Sequence, residues 1–199
     1  MEADYESVNF SDLSINQKDG SIELRSQKII IETFDCINLI DLVRINVYEV
    51  WGGFENSERL EVRSAPSVFP EECVKVDGNW KCKNGTLIIP IYHHLCVLIR
   101  EKVISEFCII SMRGLEQKAS RRWDHKAMGV VVRTNNYQYC PPKYTMIYTA
   151  SVISEKGRYM WNFANPAAID SNENLNYLMD AKDKIAMHWR SIVYKGSNN

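Results

Sequence analysis

The sequence predicts one α+β domain, an antiparallel sheet with helices packed on one face (residues 19–196), behind a disordered acidic arm (residues 1–18). Three observations predict it. Short β-branched and aromatic runs bounded by turn residues recur through the second half of the chain, as strands do. Two apolar stretches in the first half, and a longer one near the C-terminus, repeat at helical spacing. No shift in composition divides the 199 residues, and 45% hydrophobic with 25% charged side chains is the balance of a folded chain with one sizeable core.

Residues 1–18 are polar and acidic without periodicity and read as a mobile tail. Within residues 1–24 six acids (Glu2, Asp4, Glu6, Asp12, Asp19, Glu23) face one base, Lys18, so the body that follows is mildly basic although the whole chain carries a formal charge of −1. That excludes binding of nucleic acid or acidic lipid by bulk charge and leaves room for a basic face. Residues 21–34 read as a strand rich in isoleucine. After it Cys36, Leu39, Ile40 and Val43 fall on one face at helical spacing and predict a short helix. Residues 46–50 read as extended, Gly52-Gly53 as a break, and residues 60–63 as a half-exposed strand. Asp77-Gly78 has the chemistry of a two-residue hairpin turn, which would make Val76 face Asn79 and set Cys73 opposite Cys82. Pro66, Pro70 and Pro90 mark limits. Pro90 opens a predicted core helix, residues 91–103, apolar at Ile91, Leu95, Leu98, Ile99 and Val103. Residues 107–112, 128–133 and 144–153 read as strands, with Glu155-Lys156-Gly157 turning the chain into a last strand at residues 158–163. Asp170-Ser171-Asn172-Glu173 opens a C-terminal helix in which Leu175, Leu178, Met179, Ile185, Ala186, Trp189, Ile192 and Val193 keep helical spacing, and Arg190 and Lys195 come late, complementing its dipole.

Residues that carry chemistry are sparse. His93-His94, Cys96, Cys108, His125 and the Cys73/Cys82 couple lack zinc-type spacing such as C-x-x-C or H-E-x-x-H, and adjacent histidines on a helix point about 100° apart. There is no G-x-S-x-G elbow, and Trp51-Gly52-Gly53-Phe54 has the wrong spacing for a phosphate loop. The prediction is a protein that is not an enzyme and uses no cofactor or metal. The start, Met1-Glu2-Ala3-Asp4, lacks the apolar stretch of a leader, and no apolar run reaches bilayer-spanning length, so a cytosolic protein with free thiols is expected. The main charge feature is the predicted loop of residues 113–126, where Arg113, Lys118, Arg121, Arg122 and Lys126 surround Trp123. Bases beside an indole can hold phosphates and stack a base, or lie on a membrane with the ring in the headgroup layer.

Pro141-Pro142-Lys143-Tyr144 is the one tetrapeptide with a recognisable partner chemistry: two prolines in polyproline II geometry and a tyrosine fit the aromatic groove of a WW domain. With this P-P-x-Y motif, an acidic N-terminal arm and a single α+β domain of this size, the chain resembles the matrix proteins of rhabdoviruses, plant-infecting cytorhabdovirus-like members included. The resemblance implies a non-enzymatic virion protein of the host cytoplasm, peripheral on the inner membrane face. Such a protein self-associates, coats the nucleocapsid or its RNA, and bridges it to an anionic membrane surface during assembly and budding. It also implies that Pro141, Pro142 and Tyr144 recruit a WW-domain ubiquitin ligase. In the animal-virus members the motif sits in a basic N-terminal arm, whereas here it is internal. Two other readings stay open: a cytosolic nucleic-acid-binding accessory protein of silencing-suppressor type that uses the same basic loop, and a cytosolic enzyme built on the cysteines and histidines.

Overall fold

The computed structural model describes residues 9–51, 73–76, 79–82, 87–133, 135, 137–169 and 172–195. The chain runs through β1 (Ser11–Ile15), β2 (Ile22–Ser26), β3 (Ile29–Phe34), β4 (Cys36–Trp51), β5 (Cys73–Val76), β6 (Asn79–Cys82), β7 (Leu87–Arg100) and β8 (Val103–Arg113). It continues through α1 (Gln117–Met128), β9 (Val132–Arg133), β10 (Gln138–Tyr139), β11 (Met146–Glu155), β12 (Arg158–Ala168) and α2 (Asn172–Lys195). The main sheet orders its strands β12-β11-β4-β7-β8-β1-β2-β3, with β6 on β7 and β5 on β6, while β9 and β10 form a separate ribbon. The pairs described are antiparallel except β1 with β8, which is parallel.

The long strands β4 and β7 occupy the places where helices were predicted at residues 36–43 and 91–103. Each is buried on both faces: in β7 His94, Cys96 and Leu98 point one way and Leu95, Val97 and Ile99 the other. A strand covered on both sides reads as a continuous apolar run, which periodicity does not separate from a buried helix. In β4 a register shift between Asp41 and Val43 re-phases the strand, so Ile40, Val43, Ile45 and Val47 reach the same core. That shift is what mimicked helical spacing.

Two apolar cores follow. Leu24, Leu39, Leu98, Ile110, Tyr148 and Phe163 pack with Ala119, Trp123 and Ala127 of α1, whereas Ile40, Ile45, Leu95, Val97 and Ile109 pack with Leu178, Ala181 and Ile185 of α2. The helices therefore lie on opposite faces of the sheet, which corrects the expectation of one shared face. The reason is that both faces of β4 and β7 are apolar and each needs a cover. The sheet also curls around α1, because Gln17 in the β1–β2 turn exchanges hydrogen bonds of 3.0 and 3.1 Å with the backbone of Tyr159 on β12.

Other corrections are local. Residues 11–15, expected in the mobile arm, form β1, whose Leu13 is buried in the core under α1. Residues 1–8 lie outside the described residues. The expected strand at residues 21–34 is a hairpin turned at Gln27-Lys28, and β7 and β8 turn at Glu101-Lys102; both residues of each turn have positive φ, as the mirror-image hairpin turn requires. Neither turn contains a glycine, so neither was legible. Lys156-Gly157 does, and it joins β11 to β12 as expected. The register Val76↔Asn79 and Cys73↔Cys82 is likewise the expected one. Residues 128–133 contribute only the short β9, and the C-terminal helix forms as α2. Gly52-Gly53, residues 60–63, Pro66, Pro70, Asp77-Gly78 and Asp170-Ser171, of which a break, a strand, chain limits, a turn and a helix start are expected, lie outside the described residues. No described helix is long and apolar enough to cross a membrane.

Candidate functional site

Residues 113–126, expected as a loop, fold into a 3-10 turn (Gly114–Glu116) and α1. Ala119, Trp123 and Ala127 recur every four residues, so they line one face, and that face packs into the core. Gln117 fixes the start of the helix by donating from Nε2 to the carbonyl of Pro90 on β7. Trp123 is fully buried, stacked on Phe163 at 3.7 Å between ring centroids and on His94 at 5.0 Å. The indole expected beside the bases is thus inside, where it holds the helix down.

The bases divide. Lys118, Arg121 and Arg122 are exposed together with His125 on the outer face. Lys126 bends to the Asn162 side chain (3.2 Å) and the Phe163 carbonyl. Arg113 is half-buried at the end of β8 and lines a separate cleft with Gln17, Glu116 and Tyr159. Arg122 donates to both carboxylate oxygens of Glu155, at 2.8 and 3.3 Å. Those hydrogen bonds, with the Arg122 charge and smaller contributions from Lys118 and Lys156, hold the Glu155 carboxyl below its ordinary range. Asp124 is the one acid within α1, and it turns to Arg44 and Lys143. Arg121, His125 and Met128 follow one another on a single stripe, at i, i+4 and i+7. Beyond Met128, which is 61% exposed, Val131, Tyr137 and Tyr139 also stand exposed, the two tyrosine rings 5.8 Å apart. Bases in the first half of a helix oppose its dipole. Helix stability therefore does not account for where Lys118, Arg121 and Arg122 sit.

Beneath α1 runs a chain of polar contacts that the sequence did not reveal. His94 Nδ1 lies 2.9 Å from Asp41 Oδ2, and His94 Nε2 lies 2.8 Å from Ser120 Oγ. Because a carboxylate only accepts, Nδ1–H donates to Asp41, and in the neutral ring Nε2 accepts from the Ser120 hydroxyl. Lys143 Nζ donates to both Asp41 and Asp124, and it sits 4.1 Å above the Trp123 ring. Burial pushes the Asp41 carboxyl up, but His94 and Lys143 outweigh it and hold the group well below the usual carboxylate range. Burial likewise opposes the Lys143 charge, and Asp41 and Asp124 keep its ammonium above the ordinary value. Ser120, His94 and Asp41 repeat the atom order of a serine-hydrolase triad. All three are buried, and a cleft of about 620 Å³ beside Asp41 is lined by Asp41, Arg44, Asp124, Met128, Cys140 and Lys143 and not by Ser120 or His94. With Ser120 Oγ buried beneath α1, the contacts shown are those that join β4, β7, α1 and the Lys143 turn.

The proline motif is tied into the same interior. Pro142 is exposed with φ −59° and ψ 147°, while Lys143-Tyr144-Thr145 form a 3-10 turn. Tyr144 is half-buried on the α2 side, with Lys182 Nζ 5.3 Å from its ring centroid. His93 and His94 point to opposite faces of the sheet, one to Trp189 of α2 and one to Trp123 of α1. Cys96 and Cys108 lie opposite each other in the β7–β8 pair, and burial pushes both thiols well above their ordinary range. Among the described residues no group of three or more His, Cys, Asp or Glu side chains is placed to hold a metal ion. No protein-family model, no curated protein and no solved structure matches the chain, so its function is read from the site itself.

Proposed function

We propose that the protein is a non-enzymatic, matrix-type structural protein that self-associates and lies with α1 against an anionic membrane surface, with the nucleocapsid as its other partner. The observation that supports this is the outer face of α1, where Lys118, Arg121 and Arg122 are exposed, together with exposed Met128 at its end and exposed Val131, Tyr137 and Tyr139 in the residues that follow. Bases held near anionic headgroups contribute about 1 kcal/mol each. Tyrosine rings are favoured at the headgroup level, and small apolar side chains beside them leave water there. RNA phosphates could take the same bases and a tyrosine could stack a base, but Met128 and Val131 would stay in water. The lipid surface is therefore the better fit. A WW-domain ligase could grip Pro141, Pro142 and Tyr144 only after Tyr144 leaves its place on α2.

Flotation with phosphatidylserine-containing vesicles over a salt series tests the reading. The wild type is expected to float at low salt and to release as salt rises. Lys118→Glu/Arg121→Glu should lose flotation at unchanged Tm; these two are chosen because Arg122 already holds Glu155. A wild type that ignores the vesicles but shifts single-stranded RNA in the same buffer would replace the reading by the nucleic-acid-binding accessory protein. Binding to neither would reject both.

A further inference from the structure

The two ends of the main sheet differ. At one end β12 carries Pro166, and Asn165 with a φ of 51°, both of which spoil a straight outer edge for pairing. At the other end β3 carries Ile29, Ile30 and Ile31, which are 70%, 47% and 57% exposed. A register shift opposite Leu24 and Arg25 leaves Ile31 without a partner in β2. An exposed apolar edge with unpaired N–H and C=O groups is a template for another strand.

We infer that β3 is the self-association surface, pairing antiparallel with β3 of a second copy about a twofold axis through Ile30. Charge and apolar matching select this register. It sets Ile30 against Ile30, Ile29 against Ile31, and Lys28 of each copy against Glu32 of the other. A slip of one residue either way sets Ile29 against Glu32 or Lys28 against Ile31, placing a charge on an apolar side chain. The closed, self-complementary arrangement is that of a twofold dimer. The bulge bends β3 and confines the pairing to residues 28–32, so the dimer is concentration-dependent. Glu32 keeps its own Arg100, 2.7 Å away, on the same surface. The pairing rests on the self-association in the reading above and is independent of what α1 binds.

Sedimentation over a concentration series, with cross-linking, tests it. The wild type should pass from monomer to dimer, and Ile30→Lys should stay monomeric with unchanged Tm. With Cys36 and Cys140, whose thiols are exposed, replaced by serine, Ile30→Cys should form a disulfide dimer under mild oxidant, because a residue on the axis faces its own copy within bridging distance. Thr33→Cys in that background should not. A wild type that is monomeric throughout, a dimer that survives Ile30→Lys, or cross-linking at residue 33 in preference to 30 would each overturn the pairing. Vesicle flotation separates the two ideas: a wild type that floats while remaining monomeric overturns the β3 pairing and leaves the α1 surface standing, whereas Ile30→Lys is expected to be monomeric and still to float.

Discussion

At Asp41 four elements meet: β4 carries it, β7 brings His94, α1 brings Ser120 onto His94, and the 3-10 turn of residues 143–145 brings Lys143. Its carboxyl is depressed in the fold, so its contribution to stability is complete above the unfolded value of about 4 and is lost as pH falls below that. Lys143 is raised, so its contribution is present below about pH 10 and fades only in stronger alkali. Of these two, Asp41 is therefore the group that acts in the acid range. Asp41→Asn is expected to cost about 3 kcal/mol at neutral pH, since Lys143 and His94 lose their buried partner. Urea unfolding at stepped pH should also show a shallower loss of stability below about pH 4 than in the wild type; equal slopes would place the acid sensitivity elsewhere. Ser120→Ala should cost about 1 kcal/mol, and a fluorophosphonate probe should leave Ser120 unlabelled. Labelling there would restore the enzyme reading.

At the scale of the element, α1 separates two roles that the sequence had merged. Trp123 and the bases alternate around the helix, so the ring anchors while the charges face out. Trp123→Ala should cost about 3–5 kcal/mol by opening a cavity against Phe163 and His94. Lys118→Glu/Arg121→Glu should change stability by less than about 0.5 kcal/mol while removing vesicle binding. Thermal unfolding and flotation of the two variants side by side check this; a Trp123→Ala protein of native Tm would mean that the indole is not the anchor. The basic cluster was visible as composition. Its division was not, because the orientation of successive residues depends on whether the stretch is loop or helix, and its sequence reads as a loop.

Across the whole molecule, β4 and β7 supply side chains to both cores, with Leu39 and Leu98 on one side and Ile40 and Val97 on the other. Losing either core strips the strands that hold the other. Unfolding should therefore be one cooperative transition, with far-UV circular dichroism and tryptophan fluorescence coinciding along a urea titration. Trp123 reports the α1 side and Trp189 the α2 side, so a biphasic fluorescence curve would show that the faces fold separately. The same two-sided sheet leaves β3 and β12 as the ends of its main run of strands, and of those two only β12 carries a proline on its edge.

The sequence by itself determined the class, α+β with an antiparallel sheet, and the elements whose signals are local: the β5–β6 register, the β11–β12 hairpin with its glycine, and the amphipathic α2. It also placed the bases of α1 together. Tertiary structure decided that residues 36–43 and 91–100 are strands, because burial on both faces erases the alternation by which a strand is recognised. It decided that α1 and α2 cover opposite faces, and that Asp41, His94, Ser120 and Lys143 meet. Those four are separated by up to 102 residues along the chain, and no local spacing encodes a contact that only sheet register and helix docking create.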